Sequence, residues 1–205
     1  MEIAGIQKYG MDHAGSTALS SIDNAAREVT EVVRQIDGPT IKDFYLNRGT
    51  DRMKSVSAPV NKLILEGLSN RGWELNWRFI DVKSQQATFE AAKIFDDGEG
   101  ARIGLDIGSR HAMSALGFFV RATAASSSVP DGRSHCSGSI LLAFTDKTVA
   151  WGLWNTGNST FESLQGVATI AQPLMKKPLW LIGVDPAPGL QIESRASGTL
   201  RLNLV

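Results

Sequence analysis

Apolar positions along this chain change period several times, and each change marks an element. Between Thr17 and Ile36, the residues Leu19, Ile22, Ala26, Val29, Val33 and Ile36 recur at helical spacing with charged residues between them. The stretch predicts an amphipathic helix that Gly38-Pro39 ends. Ser57-Ala58-Pro59 opens a second helix, with Val60, Leu63, Ile64 and Leu68 inward and Gly72 as its stop. The period then falls to two. Trp73, Leu75, Trp77 and Phe79 alternate with Glu74, Asn76 and Arg78, which predicts a half-buried strand. Gln85 to Phe95 predicts a helix. From Ala101 the chain alternates again, with Ile103, Leu105 and Ile107 on one side and Arg102, Gly104, Asp106 and Gly108 on the other.

His111 to Ala125 predicts a helix with Met113, Leu116 and Val120 inward, and Ser126 to Gly132 a loop. Ser139–Thr145 and Leu179–Val184 are nearly continuous apolar runs, as expected for strands covered on both faces. Val149–Trp154 is a shorter apolar segment between them, and Thr160–Ala171 predicts a helix. The tail from Ala187 has strand-like Leu200 and Leu202. No repeat and no linker interrupts the series. The expectation is a single domain over residues 1–205, of α/β or α+β class, with a mixed central β-sheet flanked by helices.

Composition narrows the classes. A chain of 205 residues can bury one sizeable core, and no apolar run approaches the roughly 18 residues of a membrane span. Met1-Glu2-Ile3-Ala4-Gly5 lacks the basic start of a signal peptide, and a lone cysteine, Cys136, suits a reducing compartment, so a cytoplasmic protein is expected. The histidines His13, His111 and His135 show no zinc spacing with it. The 21 basic and 21 acidic residues cancel, which argues against coating nucleic acid by bulk charge. It leaves room for a local basic cleft, for which Arg110, His111 and Arg121 form one candidate cluster.

The stretch with the most chemistry is Asp97-Gly98-Glu99-Gly100 followed by the strand to Gly108. It places Asp97 in a Gly-rich turn and Asp106 nine residues later, on a strand face that Gly104 and Gly108 clear. Two converging carboxylates suit a hard, oxygen-loving ion such as Mg²⁺.

The ordered landmarks resemble type II restriction endonucleases of the BglII and BstYI kind, a branch of the PD-(D/E)XK nuclease fold. The Pro-led helix at Ala58-Pro59-Val60-Asn61 closes on Gly72-Trp73. The acids Asp97 and Asp106 keep a nine-residue step. Phe119-Val120-Arg121 lies in the helix after the acidic strand, and Ser139–Thr145 and Pro178–Val184 follow in order. The match runs from about Thr17 to Pro186 and leaves out the tail. The resemblance implies Mg²⁺-dependent hydrolysis of double-stranded DNA at a palindromic site by a homodimer. It implies Asp97 and Asp106 as metal ligands, helped by the carbonyl of Ile107, and Asn76 as an active-site amide. Arg110, His111 and Arg121 would contact DNA. Gly108 departs from the pattern, because it stands where the family places Lys or Gln. Lys83 and Lys93 flank the region and could reach in.

Two other readings remain from the residues. Gly108 favours a DNA-binding protein on the same fold that no longer cuts. Gly98-Glu99-Gly100 could serve as a phosphate loop of a small-molecule enzyme, but it lacks the lysine of G-x-x-x-x-G-K-[ST] and precedes a strand.

Overall fold

The computed structural model describes residues 1–46, 56–82, 85–95, 101–108, 118–119, 122, 136–150, 159–194 and 200–204. Its centre is a six-stranded mixed sheet built from β1 (Glu2–Tyr9), β2 (Glu74–Val82), β3 (Gln85–Phe95), β4 (Ala101–Ile107), β5 (Cys136–Phe144) and β6 (Leu179–Asp185), in the order β1-β6-β5-β4-β3-β2. The pairs β4/β5 and β5/β6 are parallel, and β1/β6, β2/β3 and β3/β4 are antiparallel. A separate two-stranded hairpin, β7 (Leu190–Ser194) with β8 (Leu200–Leu204), follows the sheet.

The helices are α1 (Ser16–Gln35), α2 (Gly38–Leu46), α3 (Ser57–Ser69), α4 (Asp146–Ala150) and α5 (Phe161–Ala171). Helix α1 buries Ile22, Ala26, Val29 and Val33, the stripe its spacing predicts, against Ile103, Leu105, Ile140, Leu142 and Ile182 of the sheet. A methyl group on Gly67 of α3 would lie 2.6 Å from Val32 Cγ1, so glycine there lets α3 approach α1 closely. Gly38-Pro39 does not only end a helix. Asp37 accepts the Thr40 amide at 2.8 Å and caps α2, whose first turn carries Pro39. The hydrogen bonds from Thr40 hold the Asp37 carboxyl below its ordinary range.

The opposite face carries a second cluster, in which Phe161, Leu164 and Ala168 of α5 pack with Trp77, Phe89, Leu141, Ala143 and Leu181. Thr160 caps α5 in a reciprocal pair: Ser163 donates its amide to Thr160 Oγ1, and Thr160 donates its own to Ser163 Oγ. Phe118 and Phe119 belong to this cluster, with exposures of 3% and 6%. Trp73, Trp77 and Trp180 are buried as core residues. Among the described residues, no helix is long and apolar enough to cross a membrane.

One expected element is different. Gln85–Phe95 is a strand and not a helix. Gln, Ala, Glu and Lys favour helix weakly, but Phe89, Ala91 and Ala92 are fully buried between β2 and β4, and tertiary packing overrides a preference of that size.

Candidate metal and DNA site

The new strand assignment changes what Asp106 meets. Strands β3 and β4 pair in one register: Ala91↔Leu105, Ala92↔Gly104 and so on to Phe95↔Ala101. Continued one step, that register sets Glu90 across from Asp106. There the ladder gives way to side chains. The Glu90 amide donates to Asp106 Oδ1 at 3.2 Å, and the Ile107 amide donates to Glu90 Oε2 at 3.0 Å. Each carboxylate thus takes a backbone N–H from the other's strand, which holds the two acids side by side. Asp106 is 5% exposed, and Glu90 is half-buried.

The geometry of the neighbouring strand agrees. The pairs Leu75↔Ala91 and Trp77↔Phe89 bracket Asn76 and Glu90, so Asn76 lies across from Glu90 on β2. Asn76 is exposed and has a left-handed backbone, φ 55°, a conformation that asparagine tolerates better than most residues. The alternation slips at this row in both strands. Leu75 and Ala91 pack with the α1 face, whereas Trp77 and Phe89 join the opposite cluster. Asn76, Glu90 and Asp106 therefore occupy one row where β2 and β3 change phase.

Gly104 is not part of an open cleft. A methyl group there would fall 2.6 Å from the Phe89 ring, so the ring fills the space that the glycine leaves. Gly108 is different. It is half-buried and donates its amide to the Leu142 carbonyl at 2.7 Å. The nearest atoms to a methyl group on it would be the Leu142 oxygen at 3.4 Å and Ala143 and Leu141 at 3.6 Å, all at ordinary contact distance.

Lys93 does not reach this row. It points to the other face and donates to both oxygens of Glu28 on α1, at 2.8 and 2.9 Å, and to the Arg71 carbonyl at 2.9 Å. Trp73 Nε1 donates to the same Glu28 at 2.9 Å. Lys93 is a clasp between α1 and the sheet. Lys93→Met is expected to lower stability by about 1–3 kcal/mol, because it strips a partly buried carboxylate of its cation, and to leave the Asp106 row unchanged. Thermal melting at matched salt checks this. Arg102 shares the face of Asp106 but is held by Glu74 at 3.0 Å and by the Trp77 ring at 4.6 Å. Burial pushes the Cys136 thiol up to about 12, so it is a core side chain and not a nucleophile.

Asp97 lies outside the described residues, in the 96–100 connection that joins β3 and β4 where Phe95 pairs with Ala101. Lys83, Arg110, His111 and Arg121 also lie outside them. Glu90 was hidden by the helical reading of its segment. Its signal is symmetry: Glu90 and Asp106 stand eight residues on either side of Gly98, as two opposed residues of a hairpin must. Among the described residues, no group of three or more His, Cys, Asp or Glu side chains could hold a metal. The pair Glu90 and Asp106 offers hard oxygen donors, a set that suits Mg²⁺, which is bound through one or two carboxylates and keeps several waters.

No protein family model and no curated protein sequence matches the chain. Solved structures do. The restriction endonuclease BglII in complex with a DNA 16-mer is similar with a TM-score of 0.66 and 13% identity, over 100% of this chain and 90% of that one. Free BglII is similar with a TM-score of 0.52 and 12% identity, over 98% of this chain and 90% of that one. A mixed six-stranded sheet, helices on both faces and this extent of overlap lead to one conclusion about architecture: the chain has a BglII-like restriction-endonuclease fold.

Proposed function

We propose that this chain is a type II restriction endonuclease, which hydrolyses phosphodiester bonds on both strands of DNA at a palindromic site, with Mg²⁺ and as a homodimer. One observation carries the reading: a mutually clamped pair of carboxylates, Glu90 and Asp106, at the carboxyl end of β4 in a fold shared with a DNA-bound endonuclease. Glu90 and Asp106 would hold the ion together with the Ile107 carbonyl. The ion, when bound, neutralises charge on the phosphate and makes its water more acidic. Asn76 extends the row and offers an amide to the phosphate or to water. Arg110, His111 and Arg121 are the proposed DNA contacts, and Asp97 is the rival partner of Asp106. Two strands cut at a palindrome require two sites related by a two-fold axis.

The test is incubation of the protein with a mixed-sequence plasmid and Mg²⁺, followed by sequencing of the ends. The reading expects ends that share one palindrome and no cutting in EDTA. DNA binding without cutting at any Mg²⁺ concentration would support the silent DNA-binding alternative, which Gly108 favours. Gly108 also gives a prediction. Gly108→Gln is expected to fold normally, with stability within about 1 kcal/mol of wild type, because its added Cβ makes contacts of ordinary length. Its cleavage at low Mg²⁺ should equal or exceed that of wild type. Rates measured across a Mg²⁺ titration decide it.

A further inference from the structure

Successive side chains of a strand point to opposite faces, so residues two apart share one. Strands β2 and β3 both break that rule at the same row. Leu75 and Ala91 pack with the α1 face, whereas Trp77 and Phe89 join the opposite cluster. The pairing nevertheless holds across the break, with Leu75↔Ala91 on one side of it and Trp77↔Phe89 on the other. The two strands therefore turn over together. On β2 the turn falls on Asn76, and on β3 it falls on Glu90.

Asn76 has φ 55°, and among the described residues it is the only non-glycine with a positive φ. A left-handed residue inside a strand costs free energy, and burial of its side chain does not offset the cost, because Asn76 is exposed. Outliers of this kind collect at functional sites, where a bend re-aims a neighbouring side chain. The ring stack identifies the neighbour. Trp77 follows Asn76, and its ring lies on Phe89 with centroids 6.2 Å apart and planes 8° from parallel. Phe89 precedes Glu90 and fills the space over Gly104. With regular alternation in β2, Trp77 would turn to the α1 face and leave Phe89. Strand β3 could then regain its own alternation. Glu90 would lose the turn that lets its amide reach Asp106 Oδ1 and its carboxylate take the Ile107 amide.

We infer that Asn76 is a positioning residue: its left-handed backbone, and not its amide, turns β2 in step with β3 and holds Glu90 against Asp106. The inference rests on the proposed metal site for the importance of that pair, and on the backbone and the ring stack for the role itself. Asparagine suits the task because it tolerates a positive φ better than most residues. Glycine adopts it freely, alanine is strained there, and valine is strained most.

Hydrogen exchange at the Glu90 and Ile107 amides, followed by NMR without metal or DNA, reads the clamp directly. Asn76→Gly should keep both amides protected to within about threefold of wild type, because glycine takes the same φ. Asn76→Ala should expose them by about tenfold or more, and Asn76→Val further still, while the amides of β6 keep their rates. Mg²⁺-dependent cleavage should follow the same order, with Asn76→Gly above Asn76→Ala by about tenfold although both lack the amide. If Asn76→Val does not fold, the comparison of Asn76→Gly with Asn76→Ala decides alone. Wild-type exchange in Asn76→Ala, or lost protection in Asn76→Gly, overturns the inference. So does equal loss of cleavage in the two, which would assign the role to the amide. Wild type that protects both amides but never cuts refutes the nuclease reading and leaves the positioning role standing.

Discussion

Asp106→Asn and Glu90→Gln are each expected to reduce Mg²⁺-dependent cleavage by at least about a thousandfold, because a catalytic ion supplies several kcal/mol of barrier lowering that these variants forfeit. The chain should remain folded. Each amide variant keeps an oxygen that can accept the same backbone N–H, from Glu90 or from Ile107. Melting should hold steady or rise, since two neighbouring carboxylates repel without an ion between them and neutralising one relieves that repulsion. Asp97→Asn is the control that discriminates. With Glu90 as the partner of Asp106, Asp97→Asn should lose no more than about tenfold, the lower range for groups outside the ligand set. Full loss in Asp97→Asn, with an active Glu90→Gln, would return the ligand role to Asp97. Single-turnover cleavage of a labelled duplex, with melting curves for all variants, gives both readouts.

Phe89→Ala is expected to cost about 3–5 kcal/mol, the usual range for removing a fully buried phenylalanine, and to lower Tm by about 10 °C or more. Phe89 has no exposed surface, its ring stacks on Trp77 with centroids 6.2 Å apart, and it occupies the space over Gly104. The same contact predicts the reverse change. Gly104→Ala should cost about 1–3 kcal/mol, because its methyl group would meet the ring at 2.6 Å and one or the other must shift. In a Phe89→Ala background the Gly104→Ala penalty should largely vanish, since the atoms it strikes are gone. Phe89 also precedes Glu90, so its loss should lower cleavage as well as stability. A double-mutant cycle by thermal and urea unfolding measures the coupling. Additive effects would show that the ring does not depend on the glycine.

The sequence was legible where one period held over a whole element. The stripe of α1, the helix at Ser57, the alternation of β4 and the apolar runs of β5 and β6 all predict what the structure has, and with them the mixed sheet between helices. Residues 85–95 failed because Gln, Ala, Glu and Lys give a local preference for helix, whereas burial between two strands is a long-range fact. That error hid Glu90. The phase slip at Asn76 and Glu90 was out of reach for a related reason: it depends on which face each strand turns to its neighbours, not on spacing along the chain. Gly104 and Gly108 look alike in the alternation, yet only the structure shows that a ring fills the space at one and that a methyl group at the other makes contacts of ordinary length. Lys93 is similar. Its position near the acids in sequence suggests a catalytic cation, but its place two residues after Ala91, beyond the phase slip, turns it to Glu28 on the opposite face.

The anomalous diffraction signal of Mn²⁺, in crystals of the protein grown with that ion, locates the metal site directly. One strong peak is expected within about 2.0–2.6 Å of a carboxylate oxygen of both Glu90 and Asp106. A peak held by Asp106 with Asp97 and not Glu90, or no peak on this row at saturating Mn²⁺, would contradict a site shared by Glu90 and Asp106.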